Sequence, residues 1–298
     1  FSDKYAISVR LLEPASGGEA ISADDANTTF TTLTGPRITE DTAGELALNG
    51  TIVLNAPSGF EFDVGGTAPE VTIKEAYGTS TALLATFTSR TSATMTFTID
   101  AVSNSASQPG ELIFSGIRIR PTSGTVPNTG NITNTGTTGA GGSTNFGTMV
   151  LVAGTPTKVV YTQAPTNGTV GEILAPAITA EIHDLNDNVI KNSGTAITVS
   201  VSSGTGNLTG TTLLNTDAEG KVSFNDLVID AADDFVLSAA SAGLTSALSD
   251  VFSVSVAGQY TTFLIEKISG GNILTQTAGT DFNVNISAVD GTQTPDAN

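Results

Sequence analysis

Apolar and hydroxyl-bearing residues alternate one for one along Thr94-Met95-Thr96-Phe97-Thr98-Ile99-Asp100. Side chains of an extended chain point to opposite faces in turn, so Met95, Phe97 and Ile99 share one face and the threonines the other. The same period of two returns in Ile117-Arg118-Ile119-Arg120, with the arginines facing water, in Ile197-Thr198-Val199-Ser200-Val201, and in Phe252-Ser253-Val254-Ser255-Val256. One oily face and one wet face is the pattern of antiparallel sheets packed on one another. Pro57-Ser58-Gly59, Gly65-Gly66 and Ala218-Glu219-Gly220 separate the runs as turns. The sequence offers no sustained i, i+3, i+4 apolar pattern, so the expected fold class is all-β, built of sandwiches.

Composition bounds the partners. Charged residues make up 13% of the chain, about half the usual share, and Thr, Ser, Gly and Asn take their place. The formal net charge is −18, a field that repels phosphate backbones and anionic lipid, so nucleic-acid partners are not expected. No apolar run approaches the roughly 20 residues that a spanning helix needs, so membrane insertion is not expected either. The chain has no cysteine, which excludes disulfides and thiolate metal sites. It opens on Phe1 without an initiator Met, as a processed form or a fragment would.

Internal repetition sets the domain plan. Ile178-Thr179-Ala180-Glu181-Ile182-His183-Asp184 lines up with Val284-Asn285-Ile286-Ser287-Ala288-Val289-Asp290, which begins 106 residues later. Each follows a Gly-containing turn (Val170-Gly171-Glu172 and Ala278-Gly279-Thr280) and, before it, an apolar strand at Val159-Val160-Tyr161 or Phe263-Leu264-Ile265. A period of this size suits one sandwich of about 100 residues. Three units are expected: residues 1–154 with eight or nine strands, residues 155–257 with seven, and residues 258–298 as an incomplete third. In the first unit the clearest strands run over 5–12, 46–55, 82–87, 95–102, 111–120 and 146–152. Between Pro121 and Gly147 the chain is almost entirely Thr, Gly, Asn and Ser, which reads as a long connecting loop.

The middle unit resembles the immunoglobulin-like repeats carried in arrays by large bacterial surface proteins. The likeness rests on an ordered set of pieces. The turn at Val170-Gly171-Glu172 leads into Ala177 to Asp184 and the polar turn Asn186-Asp187-Asn188-Val189. After these come Val199 to Ser202, the loop Gly204 to Gly210, Thr216 to Phe224, and the closing Phe235 to Ser246. The third unit looks like the opening of another copy, so the resemblance covers about residues 155–298. It implies tandem immunoglobulin-like β-sandwich domains and display outside the cell, secreted or on the cell surface.

Chemistry-bearing residues are few. The sole histidine, His183, lies on a strand whose Ile182 takes the apolar side, so it is expected to face outward and not to serve a catalytic triad. Nucleophile-elbow and phosphate-loop motifs are absent. The best metal candidate is Asp184-Leu185-Asn186-Asp187-Asn188, where Asp184, Asn186 and Asn188 place oxygens at alternate positions as a Ca2+ loop does, with Asp187 among them. Val189 stands where such a loop needs Gly, and Thr195 where it needs Glu, so an Asx-rich hairpin turn is the plainer expectation. Asp226, Asp230, Asp233 and Asp234 are expected to be solvated loop charge. Asn-X-Ser/Thr sequons at Asn27, Asn49, Asn131, Asn167, Asn207 and Asn285 permit glycosylation without requiring it. With no Trp and four Tyr, the chain lacks the usual platforms for stacking sugar rings.

No catalytic residue and no bound cofactor other than that Ca2+ candidate are therefore expected. The expected role is a non-catalytic structural or adhesive element of a fibre, sheath, surface layer or giant adhesin. Its partners would be neighbouring copies or other surface proteins, and glycans. The alternative is a ligand- or polysaccharide-binding accessory module of a larger secreted enzyme.

Overall fold

The computed structural model describes residues 11–73, 82–104, 110–138, 144–257, 262–267 and 284–289. These are β-structure with one short 3-10 turn, Ala23–Asp25. The chain divides into two compact units, one of residues Phe1–Thr157 with His183–Ile190, the other of Lys158–Ile182 with Lys191–Asn298.

The first unit begins with β1 (Leu11–Glu13), β2 (Ile21–Ser22), β3 (Thr31–Thr32), β4 (Arg37–Thr39) and β5 (Thr51–Asn55). It continues with β6 (Phe60–Phe62), β7 (Glu70–Ile73), β8 (Leu84–Arg90) and β9 (Thr94–Ala101). Then come β10 (Glu111–Ser115), β11 (Arg118–Pro121), β12 (Asn128–Asn134) and β13 (Gly147–Val152). Three sheets result, in the orders β1-β4-β10-β7, β3-β11-β6 and β2-β13-β12-β5-β9-β8. One hydrophobic cluster joins all three, with Ile52 and Phe97 from the six-stranded sheet, Ile38 and Phe114 from the four-stranded one, and Phe62 and Ile119 from the three-stranded one. At its centre the Phe97 and Phe114 rings meet edge to face at 4.8 Å, a contact worth about 1 kcal/mol beyond the area it buries.

Alternation found the long strands and missed the short ones. The described residues of this unit hold thirteen strands where eight or nine were expected, because pieces of two or three residues are too short to show a period. The expected strand over 111–120 is broken. Gly116 adopts φ +70, a left-handed turn that glycine takes without steric cost. β10 therefore stays in the four-stranded sheet and β11 crosses into the three-stranded one. The expected strand over 5–12 lies outside the described residues as far as Arg10.

The polar stretch from Pro121 to Gly147 is not one long loop. β12 runs through it and sits between β13 and β5 in the six-stranded sheet. Within β12 a single apolar residue, Ile132, is fully buried. Asn134 replaces a second apolar anchor with hydrogen bonds, accepting from the Val53 N–H at 2.8 Å and donating to the Thr138 carbonyl at 3.1 Å. Just beyond, a Cβ on Gly136 would collide with the Thr51 carbonyl, so the chain lies flush on β5 only because that side chain is missing.

The second unit carries β14 (Lys158–Gln163), β15 (Gly168–Thr169), β16 (Ile178–His183), β17 (Ala196–Ser203) and β18 (Leu208–Thr209). After these come β19 (Leu213–Asn215), β20 (Lys221–Phe224), β21 (Val228–Ile229), β22 (Asp233–Ala240), β23 (Ala247–Leu248) and β24 (Phe252–Ser255). One sheet has the order β14-β16-β20, another β15-β24-β22-β17-β19 with β23 beside β22, and β18 pairs β21. Ile178, Val199, Phe224, Phe235 and Val254 are buried, each on the face that the period of two assigns to the core.

Beyond these, β25 (Thr262–Lys267) and β26 (Val284–Val289) pair antiparallel, from Thr262 opposite Val289 to Lys267 opposite Val284. In sequence they stand about one period after β14 and β16, which are neighbours in the order β14-β16-β20. The turn at Ala278-Gly279-Thr280 lies outside the described residues.

Candidate functional site

The Asp184 turn belongs by its contacts to the first unit. It is organised by N–H donors. Asp184 is completely buried. Its Oδ1 accepts from the backbone N–H groups of Asn186 at 2.9 Å and Asn188 at 2.8 Å. Its Oδ2 accepts from the Gly154 N–H at 2.7 Å and the Asn188 side-chain amide at 2.8 Å. Burial pushes the carboxyl up, but the Asn188 amide and the N–H groups of Gly154, Asn188 and Asn186 outweigh it and hold the group below its ordinary value.

Asn186 and Asn188 also serve partners beyond this carboxylate. Asn188 is buried as well, accepting from the Val126 N–H at 2.9 Å and donating to the Gly124 carbonyl at 2.6 Å. Asn186 donates to the Ala23 carbonyl at 3.2 Å. Asp187 is exposed at φ +65, a left-handed position that a short Asx side chain tolerates. Asp184, Asn186, Asp187 and Asn188 thus form a hydrogen-bonded hub in which each Asp184 oxygen already has two donors. Among the described residues no three His, Asp or Glu side chains gather as a metal-binding group. The neighbouring His183 is half-buried, and its carbonyl accepts from the Thr157 N–H at 2.9 Å.

Asp226, Asp230 and Asp233, expected to be plain loop charge, form a ladder of clamps. Asp226 accepts from the Thr211 N–H and hydroxyl at 3.0 and 2.7 Å. Asp230 takes the Asn207 N–H and amide at 2.7 and 2.9 Å. Asp233 takes the Thr205 N–H and hydroxyl at 2.9 and 2.8 Å. The three carboxyls are held below their ordinary value, chiefly by the Thr211 hydroxyl, the Asn207 amide and the Thr205 hydroxyl respectively. Asp234 accepts from the Ser253 hydroxyl at 2.6 Å. Asp24 grips Thr155 in the same way, by N–H and hydroxyl, both at 2.7 Å. The clamping residues Thr205, Asn207 and Thr211 lie in the turns on either side of the two-residue β18, so no strand period marked them in the sequence.

Two further acids are held inside the first unit. Glu40 is buried, accepting from Leu46 N–H at 3.0 Å, Gly110 N–H at 2.9 Å and the Ser103 hydroxyl. Asp63 accepts from Gly65 N–H at 2.8 Å and Gly66 N–H at 3.0 Å and pairs with Arg118. Burial raises the Asp63 carboxyl, but those two N–H groups with Arg118 and Arg90 bring it below its ordinary value. Arg120 pairs with Glu61 at 2.7 Å and lies 4.3 Å over the Phe30 ring, with Arg118 5.4 Å from the same ring. The two arginines leave the core as the alternation requires, yet they are half-buried in ion pairs and not simply bathed in water.

Sequon side chains are also in use. Asn27 donates to the Thr122 carbonyl, Asn131 accepts from Thr148, Asn167 accepts from the Ser253 N–H and Asn207 donates to Asp230. A cleft of about 170 Å³ in the first unit is lined by Glu13, Ser16, Thr34 and Arg37. Arg37 is paired there with Glu13 at 3.5 Å and Glu111 at 3.1 Å. A groove of about 340 Å³ in the second unit is lined by Ser200, Asn207, Leu208 and Thr212. No helix among the described residues is long and apolar enough to cross a membrane.

No family model matches the sequence, and no curated protein matches it. Solved structures similar to the chain include the Yersinia pseudotuberculosis adhesin InvE, at 14% identity and a TM-score of 0.27, over 83% of this chain and 58% of that one. The Escherichia coli adhesin FdeC is similar at 14% identity and a TM-score of 0.29, over 82% of this chain and 65% of that one. A β-glycosidase from Bacteroides vulgatus is similar at 11% identity and a TM-score of 0.26, over 63% of this chain and 25% of that one. The chain therefore spans less than two thirds of the length of each.

Proposed function

We propose that this chain is a non-catalytic structural or adhesive element of a bacterial surface or extracellular assembly, built of tandem immunoglobulin-like sandwiches. The observation that carries the proposal is the use made of the acids. Asp63, Asp184, Asp226, Asp230 and Asp233 each accept two or more donors that pin a turn or strand. All five are held as carboxylates below the usual range. A general acid or base needs the reverse: a carboxyl raised toward neutrality and free to exchange its proton. Acids used as turn locks are what a chain selected for holding its shape requires. The all-β architecture, the repeat of about 106 residues and the resemblance to bacterial surface repeats support the same reading.

The test couples the purified chain to micrometre beads, scores their adhesion to bacterial cells and to one another, and images the free protein by negative stain. Adhesion, bead clustering or ordered assemblies are expected. Dispersed beads and monomers, together with hydrolysis of chromogenic glycosides or esters that an Asp-to-Asn variant abolishes, would sink the proposal.

A further inference from the structure

The six-stranded sheet of the first unit buries one face and leaves the other nearly free of charge, with Asp100 at one end of β9 as its carboxylate. By period two, Thr94, Thr96 and Thr98 of β9 turn outward while Met95, Phe97 and Ile99 are buried. The register sets Thr98 opposite Thr51, Thr96 opposite Val53 and Thr94 opposite Asn55, and Asn55 in turn opposite Thr133 of β12. On the far side, a bulge in β8 between Phe87 and Ser89 leaves Thr86 and Thr88 exposed beside Thr98. The outward face is a grid of hydroxyls and methyls.

The grid is held in place by its own hydrogen bonds. Thr88 and Thr98 share one at 2.7 Å, and Thr86 donates to Asp100 at 2.7 Å. Asn55 donates to the Thr135 hydroxyl at 3.1 Å, and Thr148 donates to Asn131 at 3.1 Å. Hydroxyl rotors fixed in this way have already lost the freedom that a binding partner would otherwise have to remove. Across the strands the rows repeat at about 4.8 Å, and along them at roughly 7 Å. Charge is what sets the face apart. The six strands carry only Arg90 and Asp100, both toward strand ends, in a chain with 29 acidic and 11 basic residues.

We infer that this face binds a neutral, hydroxyl-rich polysaccharide surface, which deepens the proposed adhesive role and rests on it. The charge argument selects the occupant. A polyanionic glycan or a second copy of this chain would meet the −18 field, whereas a neutral glycan meets a grid whose one carboxylate, Asp100, is engaged by the Thr86 hydroxyl. A protein partner fits poorly, because protein interfaces centre on Tyr, Trp and Arg anchors and make little use of Thr and Val. Extended β-glucan chains carry repeating O–H groups along the ribbon edges and C–H groups on the flat faces, which can meet the hydroxyls and the methyls of the threonine rows in turn. Each contact is weak, so retention comes from many at once.

The full chain is mixed with microcrystalline cellulose at neutral pH and moderate salt, and the bound fraction is read on a gel. Wild type is expected to be retained, and Thr96→Glu, which puts a charge at the centre of the grid, at least tenfold less. Thr179→Glu, on β16 of the second unit, is expected to bind as wild type does. Melting curves confirm that all three are folded, and Thr96→Val supplies a variant that keeps the β-branched shape while losing the hydroxyl. Equal retention of wild type and Thr96→Glu, or no retention of either, overturns the inference. So does self-association in sedimentation velocity, or ice shaping, that Thr96→Glu abolishes while cellulose is left unbound. Bead adhesion that persists without cellulose binding would sink this inference alone and leave the structural role standing.

Discussion

Asp184 makes the clearest single-residue test. Replacing it with Asn puts an NH2 group against an N–H donor and removes the charge that four donors serve. Asp184→Asn is expected to cost about 2–3 kcal/mol, read as a fall in the urea midpoint. The sign of its pH dependence follows from the depressed carboxyls of Asp184 and Asp63. A carboxyl whose folded value lies below its unfolded value adds stability in full above the ordinary value of 3.8. That stability is lost as pH falls from there toward the folded value. Urea midpoints between pH 6 and 2.5 should drop only at the acid end, and less steeply in Asp184→Asn. Chelating calcium should leave the melting temperature unchanged, because N–H groups already neutralise this carboxylate. Tyr161 is the opposite case. Its hydroxyl is enclosed with no hydrogen-bond partner, and burial pushes its pKa up. Tyr161→Phe is expected to leave stability unchanged or raise it by up to about 1 kcal/mol, read in a thermal melt.

At the scale of the strand, β12 shows how far a polar sequence can enter a sheet. Ile132→Ala should open a cavity and destabilise the fold by about 2–4 kcal/mol, a loss that a surface loop would not show. The strand was illegible in the sequence because it carries one core residue where a period needs three. Its remaining anchors, Asn134 and the bare Gly136 against Thr51, are tertiary contacts with β5. β9 was legible throughout because its neighbours ask of it only what alternation supplies. The aspartate clamps make a prediction of the same rank. Asp230→Ala should raise hydrogen exchange at the Asn207 amide while leaving the amides of β22 protected.

Over the whole molecule the dominant long-range term is like-charge repulsion. With a net charge of −18, raising NaCl from about 10 to 150 mM shortens the Debye length from roughly 30 to 8 Å. The melting temperature should therefore rise with salt, the reverse of what a fold held mainly by surface ion pairs would do. Few such pairs occur among the described residues. Arg37, Arg118 and Arg120 are held in them, and the remaining acids described above are neutralised by N–H and O–H groups, which salt screens little.

Alternation and composition were sufficient by themselves for the all-β class and the inward faces of the long strands, since burial on a pleated sheet depends only on residue parity. They were also sufficient for the acidic surface, which is a plain count. Which sheet a strand joins was decided elsewhere: by Gly116 turning the chain between β10 and β11, and by Asn134 standing in for an apolar anchor. The character of the acids was a tertiary matter too. A carboxylate in a polar turn shows nothing in the sequence of the donors that will surround it, and the Gly154 N–H reaches Asp184 from thirty residues earlier in the chain.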